Sequence, residues 1–244
     1  MSLHISRQAA DLSVADLDRR YAGAPAQDLV SAIIRREFCQ SIALVSSFGA
    51  GSAVLLHMVA QTRPNTPVIF LDTLKHFGET KRYRNALAIR LGLSDVRSVG
   101  PNPSALAAAD TDGLLFRRDP DGCCRLRKAL PMQSALAGFD AWITGRRRAQ
   151  SAGRASMPVF ESDAAGRIKI NPLASWSDED VADYFVDHEL PRHPLEAEGY
   201  LSIGCMPCTE RVAAGGDARS GRWQGSTKQE CGIHTALTRA SLGS

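Results

Sequence analysis

Short apolar segments alternate with helix-like segments along most of the chain, and this alternation restricts the fold more than any other feature. Apolar runs typical of strands, and stretches with helical spacing between them, follow one another in order. Strands that alternate with helices favour a parallel sheet wound in the Rossmann manner, so we expect an α/β fold. The predicted strands are residues 41–45, 68–71, 95–99 and 141–144, and the predicted helices are 28–39, 53–60 and 79–91.

Three loops follow predicted strands and are expected to meet at one edge of the sheet, where ligands of such folds bind. They are Ser46–Ser52 and the loops that begin at Asp72 and at Gly145. The first joins a strand to a helix with two glycines and three serines, and backbone amides at a helix start favour an anion. We interpret it as a phosphate loop; a simple tight turn is the alternative. It is not a Walker A loop, because no Gly-Lys-Ser/Thr follows.

Composition limits the classes of partner. The chain has 244 residues, of which 44% are hydrophobic, enough for one globular core. A net charge of +3 is weak for general nucleic-acid binding, and no apolar run resembles a secretion signal or a membrane span. We therefore expect a cytoplasmic location with no membrane or nucleic-acid partner. We read residues 1–201 as an α/β domain with N-terminal helices and residues 202–244 as a tail, together one structural domain.

Basic side chains cluster near the expected site. Arg147 and Arg148 follow the fourth predicted strand, so they should reach the same sheet edge as the phosphate loop. A guanidinium group donates two parallel hydrogen bonds to phosphate or sulfate. Arg219 and Arg222 form a second set on the tail, and Lys128 follows the adjacent cysteines. A solvated basic turn is the alternative for the first cluster.

Four of the six cysteines form two pairs. Cys205 and Cys208 have a spacing common in zinc and iron–sulfur sites, and Cys123 and Cys124 are adjacent. Neighbouring residues on a helix point about 100° apart, so both thiolates reach one small ion only with strain. A cubane offers separate irons, which favours a [4Fe-4S] cluster over zinc; two unrelated buried pairs are the alternative. Cys39 ends an apolar helix and is expected to be a packing residue.

Cys231 stands alone on the tail. Gly232 follows it, and Lys228 and His234 lie three residues to either side, so they would share its face in a helical turn. Positive or hydrogen-bonding neighbours lower the pKa of a thiol and make it reactive. We interpret Cys231 as a nucleophile assisted by His234; an inert tail cysteine is the alternative.

Taken together, these motifs resemble the assimilatory phosphosulfate reductases, specifically the iron–sulfur type that acts on adenosine 5′-phosphosulfate. The similarity runs in order over most of the chain. The residues that carry it are Ser47-Phe48-Gly49-Ala50, Leu71-Asp72-Thr73, Phe77-Gly78-Glu79-Thr80, Cys123-Cys124, Thr144-Gly145, Arg147-Arg148, Gln150-Ser151, Ile203-Gly204-Cys205, Pro207-Cys208-Thr209, Gly221-Arg222-Trp223 and Glu230-Cys231-Gly232 with His234.

The resemblance implies an adenine nucleotide α-hydrolase (ATP-pyrophosphatase) type of sheet, a [4Fe-4S] cluster on the two cysteine pairs, and residues 1–201 as the sulfonucleotide-binding domain. Cys231 would attack the phosphosulfate, and thioredoxin would release sulfite from the resulting S-sulfocysteine. His234 would assist or orient the sulfate. The implied substrate-binding residues are Ser46, Ser47, Phe48, Gly49, Ser52, Asp72, Thr73, Lys128, Arg147, Arg148, Arg219 and Arg222.

Several alternatives stay open at this point. The nearest is reduction of 3′-phosphoadenosine 5′-phosphosulfate, alone or with the unphosphorylated nucleotide, although relatives committed to it usually lack the two cysteine pairs. A tRNA-thiolating enzyme would also join a phosphate loop to a cluster. A zinc- or cluster-stabilised nucleotide-binding or redox module would have no use for Cys231. The sequence leaves a homo-oligomer open.

Overall fold

The computed structural model describes residues 12–21, 23–213, 215–225, 228 and 230–234. Helices flank a central sheet, and two of them continue directly into a π-helical turn, at Ile33–Glu37 and Arg125–Ala129. No helix among the described residues is long and apolar enough to cross a membrane. The α-helices are α1 Val14–Tyr21, α2 Ala26–Ala32, α3 Ser52–Thr62, α4 Gly78–Leu91, α5 Pro103–Ala109, α6 Leu115–Arg118, α7 Pro120–Cys124, α8 Leu130–Ala135 and α9 Asp178–Asp187.

The sheet has six strands in the order β3-β2-β1-β4-β6-β5. All neighbouring strands run parallel except β5, which pairs antiparallel with β6 at one edge. The predicted α/β fold with a parallel sheet is therefore confirmed, while the last two of these strands, the edge strand β5 and its neighbour β6, were not predicted. The strands are β1 Ile42–Val45, β2 Val68–Leu71, β3 Val96–Val99, β4 Ala141–Ile143, β5 Phe160–Ser162 and β6 Ile168–Ile170.

The strand order reverses between β1 and β4. From β1 the chain adds β2 and then β3 on one side, and it afterwards crosses to place β4 on the other side. Loops that leave β1 and β4 therefore diverge at their carboxyl ends and open a crevice, which is where open α/β sheets bind ligands. The topology fixes the place of the site before any side chain is considered.

Both faces of the sheet centre are covered, which explains why β1, β2 and β4 are continuous apolar runs. Ile42 and Leu44 pack on one side with α3 and α9, whereas Ala43 and Val45 pack on the other with Met132 of α8. This alternation is the two-residue period of a strand. Burial on both faces makes the central strands a rigid support for the loops that leave them.

Two local expectations were wrong. The helix predicted to reach Cys39 ends in the π-helical turn at Glu37, and Cys39 lies in a turn after it. Its side chain is exposed, not packed in the core, and its sulfur contacts the Arg35 carbonyl at 2.7 Å. The apolar residue that closes this region is Phe38, which is 1% exposed.

The described part of the tail after Tyr200 lies against the sheet edge through backbone contacts instead of regular elements. An isolated antiparallel bridge joins His76 to Cys205, and the Met206 amide donates to the Lys75 carbonyl at 2.7 Å. A second bridge joins Thr209 to Arg222. These contacts bring the second cysteine pair to the loop that follows β2.

Candidate active site

The Ser46–Ser52 loop is shaped by one buried side chain and one glycine. Phe48 has φ 50° and is fully buried, with its ring 5.8 Å from that of Phe70 in an edge-to-face contact. Gly51 caps α3 at φ 74°, a left-handed conformation that glycine adopts without strain. Anchoring the aromatic ring below the loop leaves its backbone turned toward the crevice, with the start of α3 behind it.

A cavity of about 380 Å³ opens beyond the carboxyl ends of β1, β4 and β6. Its size suits a nucleotide-sized ligand. The sheet loops form one wall and the tail forms the other. Of the predicted site residues, the structure brings together here Ser46, Ser47, Gly49, Ser52, Lys128, Arg147, Arg219, Arg222, Cys231 and His234.

Four predicted substrate-binding residues lie outside that lining. Phe48 is in the core, and Arg148 donates from Nε to the Met157 carbonyl at 2.8 Å. Asp72 lies 3.1 Å from the Lys81 ammonium. Thr73 is buried with its hydroxyl 3.2 Å from the Cys205 sulfur. These side chains shape the surroundings of the cavity in this structure without facing it.

The sequence reading missed several lining residues, of which Arg154 and Glu230 are the most informative. Arg154 Nε donates to Glu230 Oε2 at 2.7 Å, and Arg219 lies 3.2 Å from Glu230 Oε1. Burial opposes ionisation of Glu230, but the charges of Arg154 and Arg219 prevail and lower the pKa of its carboxyl group. The only sequence signal for Glu230 was its position beside Cys231. Arg192 also lines the cavity and was missed, as were site roles for Arg146, which follows the fourth predicted strand, and Trp223, which is part of the Gly221-Arg222-Trp223 motif.

Cys231 is buried, 9% exposed, at the meeting point of the tail and the cysteine helix α7. The pKa of its thiol is lowered by a hydrogen bond from the Cys124 thiol, against the opposing effect of burial. The charges of Lys128 and Arg222 lower it further. Burial by itself would lower the pKa of Lys128, but the neighbouring cysteines outweigh this effect and raise it. The charges of Lys128 and Arg222 do not depend on a proton on Cys124, so they favour a Cys231 thiolate facing an ammonium group in either state of Cys124.

His234 is held close to Cys231 by a turn, since its amide donates to the Cys231 carbonyl at 3.0 Å. Its ring is nearly parallel to that of Trp142, and its Nδ1 is buried without a hydrogen-bond partner among the described residues. Burial, followed by the charges of Arg146 and Lys169, lowers the pKa of His234 well below its ordinary value. The imidazole is therefore neutral and offers one unused nitrogen.

Lys169 reinforces this positive surrounding from inside the sheet. It is 3% exposed and lies 3.3 Å from the Glu161 carboxylate, which also contacts Arg146. Its ammonium group lies 5.2 Å from the Trp142 ring. Burial and the charge of Arg146 lower the pKa of Lys169 to about 8. One carboxylate thus serves two buried cations, which leaves an excess of positive charge beneath the cavity.

The two cysteine pairs line a second, smaller cavity together with Lys75, Arg127 and Lys128. Among the described residues, no three His, Cys, Asp or Glu side chains gather closely enough for a single metal ion. The adjacent cysteines have different neighbours. Cys124 contacts Cys231, whereas the charged groups that act most strongly on the Cys123 thiol are Arg127 and then Cys205. Four thiols around one cavity with three cations have the chemistry that an anionic metal centre requires, but their spacing in this structure does not suit one tetrahedral ion.

Arg127 anchors the cysteine helix. Its guanidinium group donates to the Thr73 carbonyl at 2.8 Å and pairs with Asp110, and both side chains of that pair are at most 5% exposed. Asp110 also accepts from the Leu115 amide at 2.8 Å. These contacts tie the helix with Cys123 and Cys124 to the loop after β2, through Thr73, and to the end of α5, through Asp110. Lys128, the next residue, lines both cavities.

Known proteins are similar to this chain in both sequence and fold. A family described as phosphoadenosine phosphosulfate reductase domain matches residues 41–211. An adenosine 5′-phosphosulfate reductase of Mesorhizobium japonicum is 50% identical over 233 residues, which cover 93% of this chain and 91% of the relative. One of Mycobacterium tuberculosis is 46% identical over 188 residues, which cover 75% of this chain and 73% of the relative.

Among solved structures, phosphoadenylyl-sulfate reductase from Candida auris in a phosphate complex has a TM-score of 0.69 at 28% identity, covering 82% of this chain and 98% of its own. Yeast FAD synthetase has a TM-score of 0.53 at 16% identity, covering 85% of this chain and 70% of its own, a likeness of fold alone. The family match and the identity to the curated relatives agree with the family that the sequence motifs resemble. This chain belongs to the phosphoadenosine phosphosulfate reductase domain family.

Proposed function

We propose that this protein reduces adenosine 5′-phosphosulfate to sulfite and AMP in sulfate assimilation, as a thioredoxin-dependent oxidoreductase. The observation that carries the proposal is the position of Cys231, a buried thiol beside Lys128 in the wall of an arginine-lined cavity at the sheet edge. Relatives 46% and 50% identical are named for this substrate.

The substrate would lie across the cavity with its two anionic groups at different walls. The Ser46–Ser52 loop and the start of α3 would bind the 5′-phosphate, since amides and the helix dipole favour an anion there. Arg219 and Arg222 on the tail wall, together with Arg147 of the sheet wall, would bind the sulfuryl oxygens through paired N–H donors. This orientation directs the sulfur atom toward Cys231.

In the first step the Cys231 thiolate attacks the sulfur of the phosphosulfate. A bond forms between the two sulfur atoms, and the bond from sulfur to the bridging phosphate oxygen breaks. AMP leaves with that electron pair, and S-sulfocysteine remains on Cys231. Lys128 and the cavity arginines would offset the negative charge that builds up on the transferred group and the phosphate. The unused nitrogen of neutral His234 would orient an oxygen of the sulfonate.

In the second step a thiolate of thioredoxin attacks the Cys231 sulfur. Sulfite leaves with the electron pair of the sulfur–sulfur bond, and a mixed disulfide forms. The second thiol of thioredoxin then displaces Cys231 as a thiolate and completes the thioredoxin disulfide. Two electrons pass from the dithiol to the sulfonate, so the reaction balances without a further reductant. The segment with Cys231 must move outward, because a buried adduct is out of reach of another protein.

Cys123, Cys124, Cys205 and Cys208 would hold a [4Fe-4S] cluster in the smaller cavity. The set of four thiols, with Arg127 and Lys128 in the same lining, supports this assignment. When bound, the cluster supplies a structural centre and an electrostatic field, since thioredoxin provides both electrons. The Thr73 hydroxyl, 3.2 Å from Cys205, would donate to that thiolate.

The test is adduct formation without the reductant. Anaerobically purified protein should be brown and, with adenosine 5′-phosphosulfate and no thioredoxin, should gain the mass of one sulfonate group on Cys231. Cys231→Ser should form no adduct, whereas Cys39→Ser, which removes an exposed cysteine, should react like the wild type. An adduct that persists in Cys231→Ser contradicts the proposal, and a colourless active protein contradicts the cluster.

The 3′-phosphorylated nucleotide is the second candidate substrate, because the Candida auris structure with this fold is a phosphoadenylyl-sulfate reductase. Both nucleotides should be compared in the same single-turnover assay. We expect faster adduct formation with adenosine 5′-phosphosulfate. A reversed order would assign this chain to the other substrate and leave the role of Cys231 unchanged.

A further inference from the structure

One carboxylate occupies part of the arginine wall. Glu230 Oε2 accepts from Arg154 Nε at 2.7 Å, and Glu230 Oε1 lies 3.2 Å from the Arg219 guanidinium group. The Arg154 side chain is only 8% exposed, and both arginines line the cavity. Two guanidinium groups that converge on one carboxylate are also suited to sulfate or phosphate oxygens, which have the same charge sign and hydrogen-bond geometry.

The same carboxylate holds the backbone of the reactive cysteine. Glu230 Oε1 accepts from the Cys231 amide at 2.8 Å, so the side chain folds back onto the next residue. Among the described residues of the tail after Gly225, Glu230 is the one acidic side chain in the cavity lining. Its ion pairs therefore connect the position of Cys231 to the arginine wall directly.

We propose that Glu230 is an internal anion that holds the Cys231 segment in place until an oxyanion of the ligand displaces it from Arg154 and Arg219. Glu230 is a positioning residue, since it acts through the arginines and the Cys231 amide. The inference deepens the proposed function and rests on it for the identity of the natural ligand. Binding of the anion would free the Cys231 segment, and by reciprocity the tethered segment would weaken binding of the anion.

The matched comparison is Glu230→Gln with Asp178→Asn. Asp178 also lines the cavity and pairs with a lining arginine, Arg147, at 2.6 Å, but it lies on α9, away from Cys231. The probes are inorganic sulfate and AMP, with Kd measured by calorimetry at fixed ionic strength. Hydrogen exchange of the peptide containing Cys231 reports release of the segment, independently of the thiol.

We expect Glu230→Gln to bind sulfate about tenfold more tightly, within the usual range of such couplings. AMP, whose phosphate is assigned to the Ser46–Ser52 loop, should bind with about its wild-type affinity. Exchange of the Cys231 peptide should be faster than in the wild type without ligand, and sulfate should raise exchange in the wild type only. Asp178→Asn should leave the exchange of this peptide unchanged. A purely structural role for Glu230 predicts weaker anion binding in Glu230→Gln.

In folded Glu230→Gln, sulfate binding that is weaker or unchanged, or hydrogen exchange of the Cys231 peptide that is unchanged, would overturn the inference. Should that variant misfold, Glu230→Asp replaces it, because it keeps the charge on a shorter side chain. We expect this variant to bind sulfate weakly, as the wild type does, while the Cys231 peptide exchanges faster. Exchange at the wild-type rate would overturn the proposal. Sulfate binding and hydrogen exchange need no turnover, so they test Glu230 separately from the reaction. If both give the expected result but no adduct forms on Cys231, the proposed function is refuted while the role of Glu230 in holding Cys231 is supported.

Discussion

The two walls of the cavity hold their functional groups by different means. The sheet wall, formed by Ser46–Ser52 and Thr144–Arg147, follows buried parallel strands whose backbone ladders fix the loop ends. The cysteine wall is formed by residues 119–129 and the described residues of 202–234. These residues have only isolated backbone bridges and depend otherwise on side-chain pairs such as Arg127–Asp110 and Arg154–Glu230. The rigid wall suits recognition of the nucleotide, and the wall held by ion pairs suits a nucleophile that must later face another protein.

Removal of the buried ion pair should break this comparison most strongly. Arg127→Met leaves Asp110 buried without its cation, and we expect the free energy of unfolding to fall by about 3–5 kcal/mol. Urea unfolding measures the loss, and hydrogen exchange should locate it in the cysteine wall first. Arg118→Met, which removes an exposed pair with Asp112, is the control and should leave the free energy of unfolding almost unchanged. Equal losses would refute the distinction between buried and exposed pairs.

Lys128 belongs to the cysteine wall but serves the chemistry of both cavities. Lys128→Met removes a charge that stabilises the Cys231 thiolate and the transferred group, and we expect about a 100-fold slower formation of the Cys231 adduct. Single-turnover mass spectrometry measures this rate. Lys128→Arg keeps the charge and should recover part of it; a variant without charge that reacts at the normal rate would rule out this role.

The sheet side should show its own sensitivity to acid. His193 is 1% exposed, and burial lowers its pKa to about 4. The unfolded chain binds a proton near pH 6.5, whereas the folded chain resists it, so stability is lost as the pH falls from 6.5 toward 4. We expect a loss on the order of 2–3 kcal/mol. Urea unfolding at pH 7 and pH 4.5 should show a smaller difference in His193→Gln than in the wild type.

The contact between the two walls at Gly49 and Ile203 gives the smallest expected effect of a substitution. A Cβ atom at Gly49 would lie 2.7 Å from the Ile203 carbonyl oxygen, so Gly49→Ala should push the tail from the phosphate loop. Overpacking of this kind costs about 1–3 kcal/mol, and we expect about tenfold weaker AMP binding by calorimetry. Gly153→Ala is the control, since its added Cβ meets nothing within 4 Å. Normal AMP affinity in Gly49→Ala would mean that the tail moves away from the added methyl group without disturbing the Ser46–Ser52 loop, contrary to this prediction.

The sequence was informative where structure is local. Apolar runs predicted β1 and β2, and the turn chemistry of Ser46–Ser52 predicted the loop, because strands buried on both faces leave a continuous apolar signal. Strands β5 and β6 were missed because Phe160–Ser162 and Ile168–Ile170 each contain a charged residue and offer no continuous apolar run, and the pairing that stabilises them is not encoded in their own periodicity.

Long-range pairing was beyond the same reading. Arg154 and Glu230 lie 76 residues apart, and nothing in either segment specifies the other. Asp72 and Thr73 were correctly located at a strand end, yet backbone periodicity could not tell whether their side chains face the nucleotide cavity or the cysteines. Thr73 faces Cys205. Side-chain direction after a strand depends on the loop that packs against it, here the tail bridge to His76.

Trp223 gives the protein a built-in optical signal. Its indole packs with Cys124 and Cys231 and has Arg222 at 4.5 Å and Arg219 at 5.5 Å from the ring centre. Indole emission responds to nearby charges and is quenched by thiolates. Departure of the Cys231 segment, or conversion of its sulfur to a sulfonate adduct, would therefore change the fluorescence of one identifiable tryptophan. Trp223→Phe supplies the difference spectrum, so the opening of the cysteine wall is open to stopped-flow measurement without an added label.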